Sequence, residues 1–141
     1  MNEDQLPWLL GDALRRVTAG EFDRWELTFA SGGVITVECP WRLLREGTIV
    51  VSSVDHGKRY GLPAPIDAAS DLLRHVDGSR VSEVAVIDGT ADLHISFGSS
   101  QLQILSFSTG YEAWQSLGPE GDRVIAQGGG QLAVFPRQPP G

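Results

Sequence analysis

Residues 25–38 have the sequence Trp25-Glu26-Leu27-Thr28-Phe29-Ala30-Ser31-Gly32-Gly33-Val34-Ile35-Thr36-Val37-Glu38. Large apolar side chains alternate with polar ones before four small, turn-forming residues. Alternation with a period of two is typical of a β-strand that buries one face, and glycine readily adopts the positive φ that a tight turn needs. The segment therefore predicts a β-hairpin with strands at Trp25–Phe29 and Val34–Glu38.

The same pattern recurs about 68 residues further along the chain. Residues 93–102, Leu93-His94-Ile95-Ser96-Phe97-Gly98-Ser99-Ser100-Gln101-Leu102, again alternate before four turn residues at 98–101. A shorter apolar segment precedes the alternating run in both places. We predict two related three-stranded meanders, at about residues 11–38 and 78–105, that arose by internal duplication.

Two further elements complete the predicted fold. Between the meanders, Ile66–Val76 carries apolar residues at helical spacing and predicts an α-helix. After them, Arg123–Ala126 and Gln131–Phe135 predict a C-terminal hairpin joined through three glycines. We expect a single α+β domain at 1–135, mainly antiparallel β, in which the one helix packs on a sheet, followed by a disordered proline-rich tail at 136–141.

Two shorter segments flank these elements. Thr48–Ser52 is β-branched and predicts a strand. The segment Leu6–Leu10 fits either a short turn of helix or an entering strand, and its sequence does not separate the two.

Composition excludes several classes of partner. The chain has 141 residues, of which 41% are hydrophobic and 21% charged, the balance of an ordinary globular domain. Its 18 acidic and 11 basic side chains give a net charge of −7. Because phosphate binding needs clustered Lys and Arg, we expect no nucleic-acid partner, whereas a basic protein partner suits this charge. The acidic first residues and the lack of a long apolar run predict a cytoplasmic protein without membrane contact.

The sequence carries no recognisable catalytic, cofactor-binding or metal-binding motif. Its three histidines form no paired ligand pattern, and none of its serines lies in a nucleophile elbow. The loop residue His56 has no companion ligand nearby in sequence. The single cysteine, Cys39, would be reactive only if a neighbouring group lowered its pKa. We expect no cofactor, and the sequence leans against an enzyme.

Asp92 and His94 lie two residues apart on a predicted strand, so they share one face. A carboxylate beside an imidazole can bind a metal or act as a base with its orienting partner. The same spacing suits the solvated face of any half-buried strand, and we favour that interpretation. If the protein binds a small molecule between the two meanders, Asp92 and His94 are the residues expected to line the pocket.

The most distinctive cluster is residues 111–115, Tyr111-Glu112-Ala113-Trp114-Gln115. Tyr and Trp combine an apolar body with a polar tip, which suits them to anchor a protein interface. The same properties suit a structural lid over the end of a sheet, and we favour the lid. Trp41 begins a less regular segment and is a further candidate for an exposed anchor. The candidate interaction surface comprises Trp41, Tyr111, Glu112 and Trp114.

The C-terminal third resembles the closing signature of an uncharacterised family of small bacterial proteins that is common in high-GC genomes. The resemblance rests on three segments: residues 111–115, Gly118-Pro119-Glu120-Gly121 and residues 129–135, Gly129-Gly130-Gln131-Leu132-Ala133-Val134-Phe135. It departs from the family at Gly128 and Phe135, where the family often has a proline and a tryptophan. The family is known by its pattern and not by an activity, so the resemblance implies no site residues.

These observations favour a non-enzymatic protein–protein interaction module, with an immunity protein that binds a toxin as its more specific form. The alternative is a small-molecule-binding protein or minor enzyme with a pocket between the two meanders. A third hypothesis is a homo-oligomer that pairs through exposed strand edges.

Overall fold

A computed structural model describes residues 5–137. Over this range the chain forms eleven β-strands and one α-helix, α1 (Ala68–Val76). Short 3₁₀ turns lie at Pro7–Leu9, Glu21–Asp23, Ser53–Asp55 and Gly128–Gly130. The strands are β1 (Leu14–Ala19), β2 (Trp25–Phe29), β3 (Val34–Val37), β4 (Trp41–Arg45), β5 (Thr48–Ser52), β6 (Glu83–Val86), β7 (Leu93–Phe97), β8 (Ser100–Ile104), β9 (Trp114–Leu117), β10 (Arg123–Ala126) and β11 (Leu132–Phe135).

All strand pairs are antiparallel, and they form two sheets. The six-stranded sheet has the order β1-β2-β3-β9-β10-β11, and the five-stranded sheet has the order β5-β4-β8-β7-β6. Each sheet contains one complete meander, β1-β2-β3 or β6-β7-β8. The predicted α+β class with mainly antiparallel strands is confirmed, as is the C-terminal hairpin, which is β10–β11. The origin of the meanders by duplication stays a prediction.

A bent two-stranded ribbon connects the sheets. β3 passes into β4 through the corner Glu38-Cys39-Pro40, and β8 passes into β9 through residues 105–113. The two connections stay hydrogen-bonded as they cross, because Glu38 N donates to Ala113 O at 2.8 Å and Leu105 N donates to Pro40 O at 2.9 Å. The strand that follows each meander, β4 or β9, therefore lies in the opposite sheet, and these two connections link the sheets.

The two meander hairpins differ in their turns. The four-residue turn predicted at 98–101 is wrong, because Phe97 pairs with Ser100 across the two-residue turn Gly98-Ser99. Gly98 supplies the required positive φ, at 68°. Ser100 and Gln101 belong to β8, where small or polar side chains still pair through their backbone. Because backbone pairing does not require apolar side chains, β8 begins at Ser100, before the first apolar residue of the strand.

Helix α1 begins at Ala68, two residues later than its apolar spacing predicts. Asp67 is the N-cap, and its carboxylate accepts hydrogen bonds from the backbone N–H of Ser70 at 3.1 Å and from the Ser70 hydroxyl at 3.0 Å. Ile66 instead holds the preceding loop through backbone bonds to Gly57 and Lys58. The helix buries Ala68, Leu72 and Val76 and contacts both β1 and β5, so it covers the side of the sandwich where those edge strands lie.

Replacing Asp67 by alanine is expected to lower the free energy of unfolding by about 1 kcal/mol at pH 7, because the cap is lost. The Ser70 hydrogen bonds lower the pKa of the Asp67 carboxyl below its ordinary value. Stabilisation by a depressed carboxyl pKa is present above the unfolded pKa and disappears as the pH falls through the folded one. The difference from wild type should therefore shrink below about pH 4, as urea unfolding at two pH values would show. Asp67→Asn keeps a capping oxygen and should lose less; an equal loss in both variants would contradict the capping role.

The buried apolar side chains form one contiguous cluster from both sheets, α1 and the first 3₁₀ turn. Within this cluster Trp25 of β2 meets Trp41 of β4 edge to face, with ring centroids 5.0 Å apart. Leu6 and Leu9 are also fully buried. Pro7–Leu9 form a 3₁₀ turn, so the segment 6–10 contains the helical turn and not the entering strand. Of the tail predicted to be disordered, residues 138–141 lie outside the described residues, and Arg137 pairs with Glu120 at 2.7 Å.

Candidate functional site

The four residues of the predicted interaction surface divide into an exposed pair and a buried pair. Tyr111 is 82% exposed and Glu112 is also exposed, whereas Trp41 and Trp114 are only 2% and 1% exposed. Trp114 points inward from β9, and its indole Nε1–H donates to Ala91 O at 2.8 Å. Burial therefore removes Trp41 and Trp114 from the candidate interaction surface, and for Trp114 it agrees with the structural role that the sequence favoured. Both are core residues, because the ribbon crossing turns them toward the space between the sheets.

Asp92 and His94 do not lie between the sheets. Asp92 Oδ1 accepts the backbone N–H of Ser106 at 2.8 Å, which stabilises the loop before β9. His94 is half-buried on the outer face of the five-stranded sheet, beside Gln103 of β8. Desolvation lowers the His94 pKa, and the nearby Arg42 charge lowers it further, while Asp92 raises it. The space where a pocket between the meanders was expected is occupied by core side chains.

Polar side chains on that outer face bond to one another. Arg42 Nε donates to Gln103 Oε1 at 2.8 Å, Gln103 Nε2 donates to Gln101 Oε1 at 2.7 Å, and Gln101 Nε2 donates to Ser96 Oγ at 3.3 Å. These three hydrogen bonds join side chains on three strands of the sheet, β4, β8 and β7. We interpret them as a support for the sheet.

Cys39 lies at the ribbon corner and is half-buried. Burial raises the pKa of its thiol to about 12, and the negative charges of Asp92 and Glu38 add to the effect, against a smaller lowering by the Leu105 backbone bond. The thiol is therefore protonated at neutral pH. It lacks the thiolate character that a catalytic cysteine needs.

Cys39 is expected to react slowly with a disulfide reagent such as dithionitrobenzoate in the native protein. With a pKa of about 12, roughly one thiol in ten thousand is ionised at pH 8. The rate should rise by orders of magnitude in denaturing urea, where the pKa returns to about 8.5. Because Cys39 is the single cysteine, the absorbance change reports it alone. A native rate equal to that of a free cysteine would contradict the burial argument.

A cleft opens beside the outer edge of the six-stranded sheet. We call it the β11 cleft; its volume is about 760 Å³ and its apolar lining includes Pro7, Trp8, Val124, Val134 and Phe135. Charged residues such as Glu120, Arg123 and Arg137 also contribute to it. Val134 and Phe135 are 47% and 51% exposed. The cleft thus presents apolar surface within a charged margin.

Trp8 forms a fixed wall of the β11 cleft. Its ring meets Phe29 edge to face with centroids 5.5 Å apart. A side chain at Gly33 would come within 2.3 Å of the Trp8 ring, so glycine is required there for close approach. Within residues 5–137, Trp8 Nε1 and Gln5 Oε1 are buried without a hydrogen-bond partner, and both side chains line this cleft. Unsatisfied buried polar atoms are uncommon in native proteins.

The backbone of β11 offers hydrogen-bonding groups at the sheet edge. Gln127 N donates to Gln131 O at 2.8 Å and closes the β10–β11 hairpin. Inward-bonded residues alternate along an antiparallel pair, so Ala133 and Phe135 face β10. The N–H and C=O groups of Leu132 and Val134 therefore point away from the sheet, at the edge where β11 is the last strand.

A family model of unknown function, DUF6188, matches residues 5–136, nearly the whole of the described chain. The protein belongs to the DUF6188 family. No curated protein and no solved structure is significantly similar to it. Within residues 5–137 of this DUF6188 protein, we find no helix with the length and apolar character needed to cross a membrane. The same residues contain no group of three or more potential metal ligands.

The DUF6188 protein has a second pocket at the ribbon corner, with a volume of about 480 Å³. We call it the corner pocket; its polar and charged lining includes Asp23, Glu38, Ser53, His56 and Lys58. His56 was the loop histidine without a companion in sequence. The fold supplies those companions from residues up to 33 positions away. Sequence spacing could not reveal either this pocket or the β11 cleft, since each joins distant segments.

Proposed function

We propose that this DUF6188 protein is a non-enzymatic interaction module that pairs an extended segment of a partner protein with the open edge of β11. The observation that carries the proposal is the position of the β11 cleft beside the outward backbone groups of Leu132 and Val134. An exposed edge strand is a template for an added strand, and the added chain gains affinity from main-chain hydrogen bonds.

The cleft determines which partner segments fit. Val134 pairs with the buried Val124, so its side chain lies on the cleft side of the sheet. A strand added beside β11 would direct every second side chain to the same side, against Trp8 and Val134. We therefore expect a partner segment with apolar residues at alternate positions, in which backbone pairing supplies affinity and the cleft supplies specificity.

An immunity-type role, in which the partner is a toxin, is the more specific form of this proposal. Support comes from the net charge of −7, which favours encounter with a basic protein. The alternative of a small-molecule site between the two meanders has less support, because the core fills that space. Tyr111 and Glu112 remain candidates for a contact surface, since both are exposed.

Val134→Pro tests the proposal directly. Proline removes the outward N–H of Val134 and is tolerated in edge strands whose N–H faces solvent, so the hairpin bonds to β10 should persist. Val134→Ile is the matched control, because it keeps the N–H and an apolar, β-branched side chain in the cleft. Short random peptides displayed on phage would be selected on the wild-type protein, and the selected peptides measured by fluorescence anisotropy on all three proteins.

We expect the selected peptides to carry alternating apolar residues and to bind Val134→Pro at least about tenfold more weakly, with Val134→Ile near wild type. Failure to select any peptide, or equal binding to Val134→Pro, would contradict strand addition at β11. Sedimentation velocity on the wild-type protein tests whether a second copy of this chain, and not a foreign partner, pairs with the β11 edge. A dimer that Val134→Pro abolishes would assign the edge to a second copy of this chain and overturn the choice of a foreign partner.

A further inference from the structure

The corner pocket has the size and lining of a small-molecule site. Three segments form it: the loop after β1, the ribbon corner and the loop after β5. Its volume of about 480 Å³ lies within the range of ligand pockets in proteins. Its apolar surface includes Trp25, whose ring also packs against the core residue Trp41. The charged side chains that line it, Asp23, Glu38 and Lys58, are exposed and can contact a compact polar molecule.

The two walls of the corner pocket carry opposite charges. Asp23 and Glu38 come from the segments beside the six-stranded sheet, whereas Lys58 comes from the loop after β5. The ion pairs found within residues 5–137 are Asp71–Arg74 and Glu120–Arg137, so no ion pair joins Lys58 to either acid. Opposite charges that line one pocket without meeting leave room for a ligand that contacts both.

His56 adds an oriented hydrogen-bond donor beside Lys58. Its Nδ1 accepts the backbone N–H of Ala68 at 3.1 Å, and its ring meets Trp25 edge to face with centroids 5.1 Å apart. Because Nδ1 accepts a hydrogen bond, the neutral ring carries its proton on Nε2. The Nε2–H group is therefore a donor that the helix start holds in orientation.

Backbone hydrogen bonds hold the loops that carry Lys58 and Asp23. Gly57 N donates to Ile66 O and Ile66 N donates to Lys58 O, both at 2.8 Å, which clamps the loop after β5. Across the pocket, Gly20 N donates to Arg24 O at 2.6 Å. Asp23 has a positive φ of 58° inside that closed loop. A left-handed backbone at an aspartate costs energy, and such strain is often found at binding sites.

We propose that the corner pocket binds a small zwitterion, an amino-acid-like molecule with one ammonium and one carboxylate group. The ammonium lies between Asp23 and Glu38, where ion pairing favours it. The carboxylate accepts hydrogen bonds from Lys58 and from His56 Nε2–H. A singly charged molecule would leave one wall unpaired. The inference is independent of strand addition at β11, because the two sites share no lining residue.

A nuclear magnetic resonance titration of the full chain tests this inference. Each of the proteinogenic amino acids would be added at about 10 mM, well above a millimolar Kd. We expect at least one to bind saturably and to shift the Trp25 indole N–H and the backbone amides of Gly57 and Lys58. Its amide, which lacks the carboxylate, and its deaminated acid, which lacks the ammonium, should each bind about tenfold more weakly or worse.

Matched variants locate the binding on the two walls. Lys58→Gln and Asp23→Asn should each weaken the binding of that amino acid about tenfold, and asparagine tolerates the positive φ at position 23. Arg59→Gln and Glu21→Gln change the same charges at neighbouring positions outside the pocket lining and should bind like wild type. The inference is overturned if no amino acid binds, if the singly charged analogues bind equally well, or if Lys58→Gln and Asp23→Asn leave binding unchanged.

Discussion

Replacing Trp114 by alanine is expected to lower the free energy of unfolding by about 3–5 kcal/mol, the range for truncating a buried aromatic side chain. The indole is 1% exposed and belongs to the core shared by both sheets. It also donates a buried hydrogen bond to Ala91 O, which follows β6 of the opposite sheet. Alanine therefore removes both packing and a link between the sheets. Because domains of this size are marginally stable, the loss is a large share of the whole.

Urea unfolding followed by circular dichroism measures this loss. Tyr111→Ala is the matched control, since it removes an aromatic ring three residues away that is 82% exposed. That variant should stay within about 0.5 kcal/mol of wild type. Trp114→Phe keeps most of the volume and isolates the hydrogen bond to Ala91, which should contribute about 1 kcal/mol. A loss for Trp114→Ala no larger than for Tyr111→Ala would show that Trp114 is not a core residue.

Replacing Gly130 by alanine is expected to lower the free energy of unfolding by about 3 kcal/mol, from a strained backbone and a steric clash together. Gly130 has a φ of 77°, which disfavours any residue with a Cβ. A Cβ at this position would come within 2.0 Å of Gly89 O, and backbone cannot move aside cheaply. The turn at Gly128–Gly130 begins β11, so the same variant should also reduce peptide binding at that edge.

Gly121→Ala separates the two causes. Gly121 has a φ of 91°, yet a Cβ there would meet no atom within 4 Å. Its variant should lose only the cost of the left-handed backbone, about 1 kcal/mol. Equal losses at Gly121 and Gly130, measured by the same urea unfolding, would contradict the close approach of the β10–β11 turn to Gly89.

Strands with regular alternation could be predicted from sequence, and irregular ones could not. β2 and β7 have the predicted bounds, because every second residue is apolar and buried. β4 was missed, since its adjacent residues Leu43 and Leu44 break the alternation at a point where the register with β5 shifts. β9 was interpreted as an aromatic cluster before a turn. Its four residues form a strand because β3 and β10 pair with it on both sides.

The candidate sites were less predictable than the strands. The sequence singled out His56 but supplied no companion. For Asp92 and His94 it favoured the solvated face of a strand, where His94 does lie, and the alternative pocket between the meanders is filled by core side chains. The β11 cleft joins Trp8 to Val134, more than a hundred residues apart. The hairpin containing Val134 was predicted. Its position at the edge of the six-stranded sheet is set by β9, which joins β10 to the distant strand β3. Such long-range pairing leaves no periodic signal in the sequence.

By itself, the sequence determined local conformation where its pattern is regular: the alternating strands β2 and β7, the helix that ends at Val76 and the C-terminal hairpin follow from nearest-neighbour chemistry. The tertiary structure decided which of these surfaces face solvent. Trp114 and Tyr111 lie three residues apart, yet one is buried and the other exposed, because the ribbon turns between the sheets just before β9. The same crossing gathers Asp23, Glu38 and Lys58 around one pocket. Burial and charge proximity are properties of packing between distant segments, and they arise only when the two sheets close on a common core.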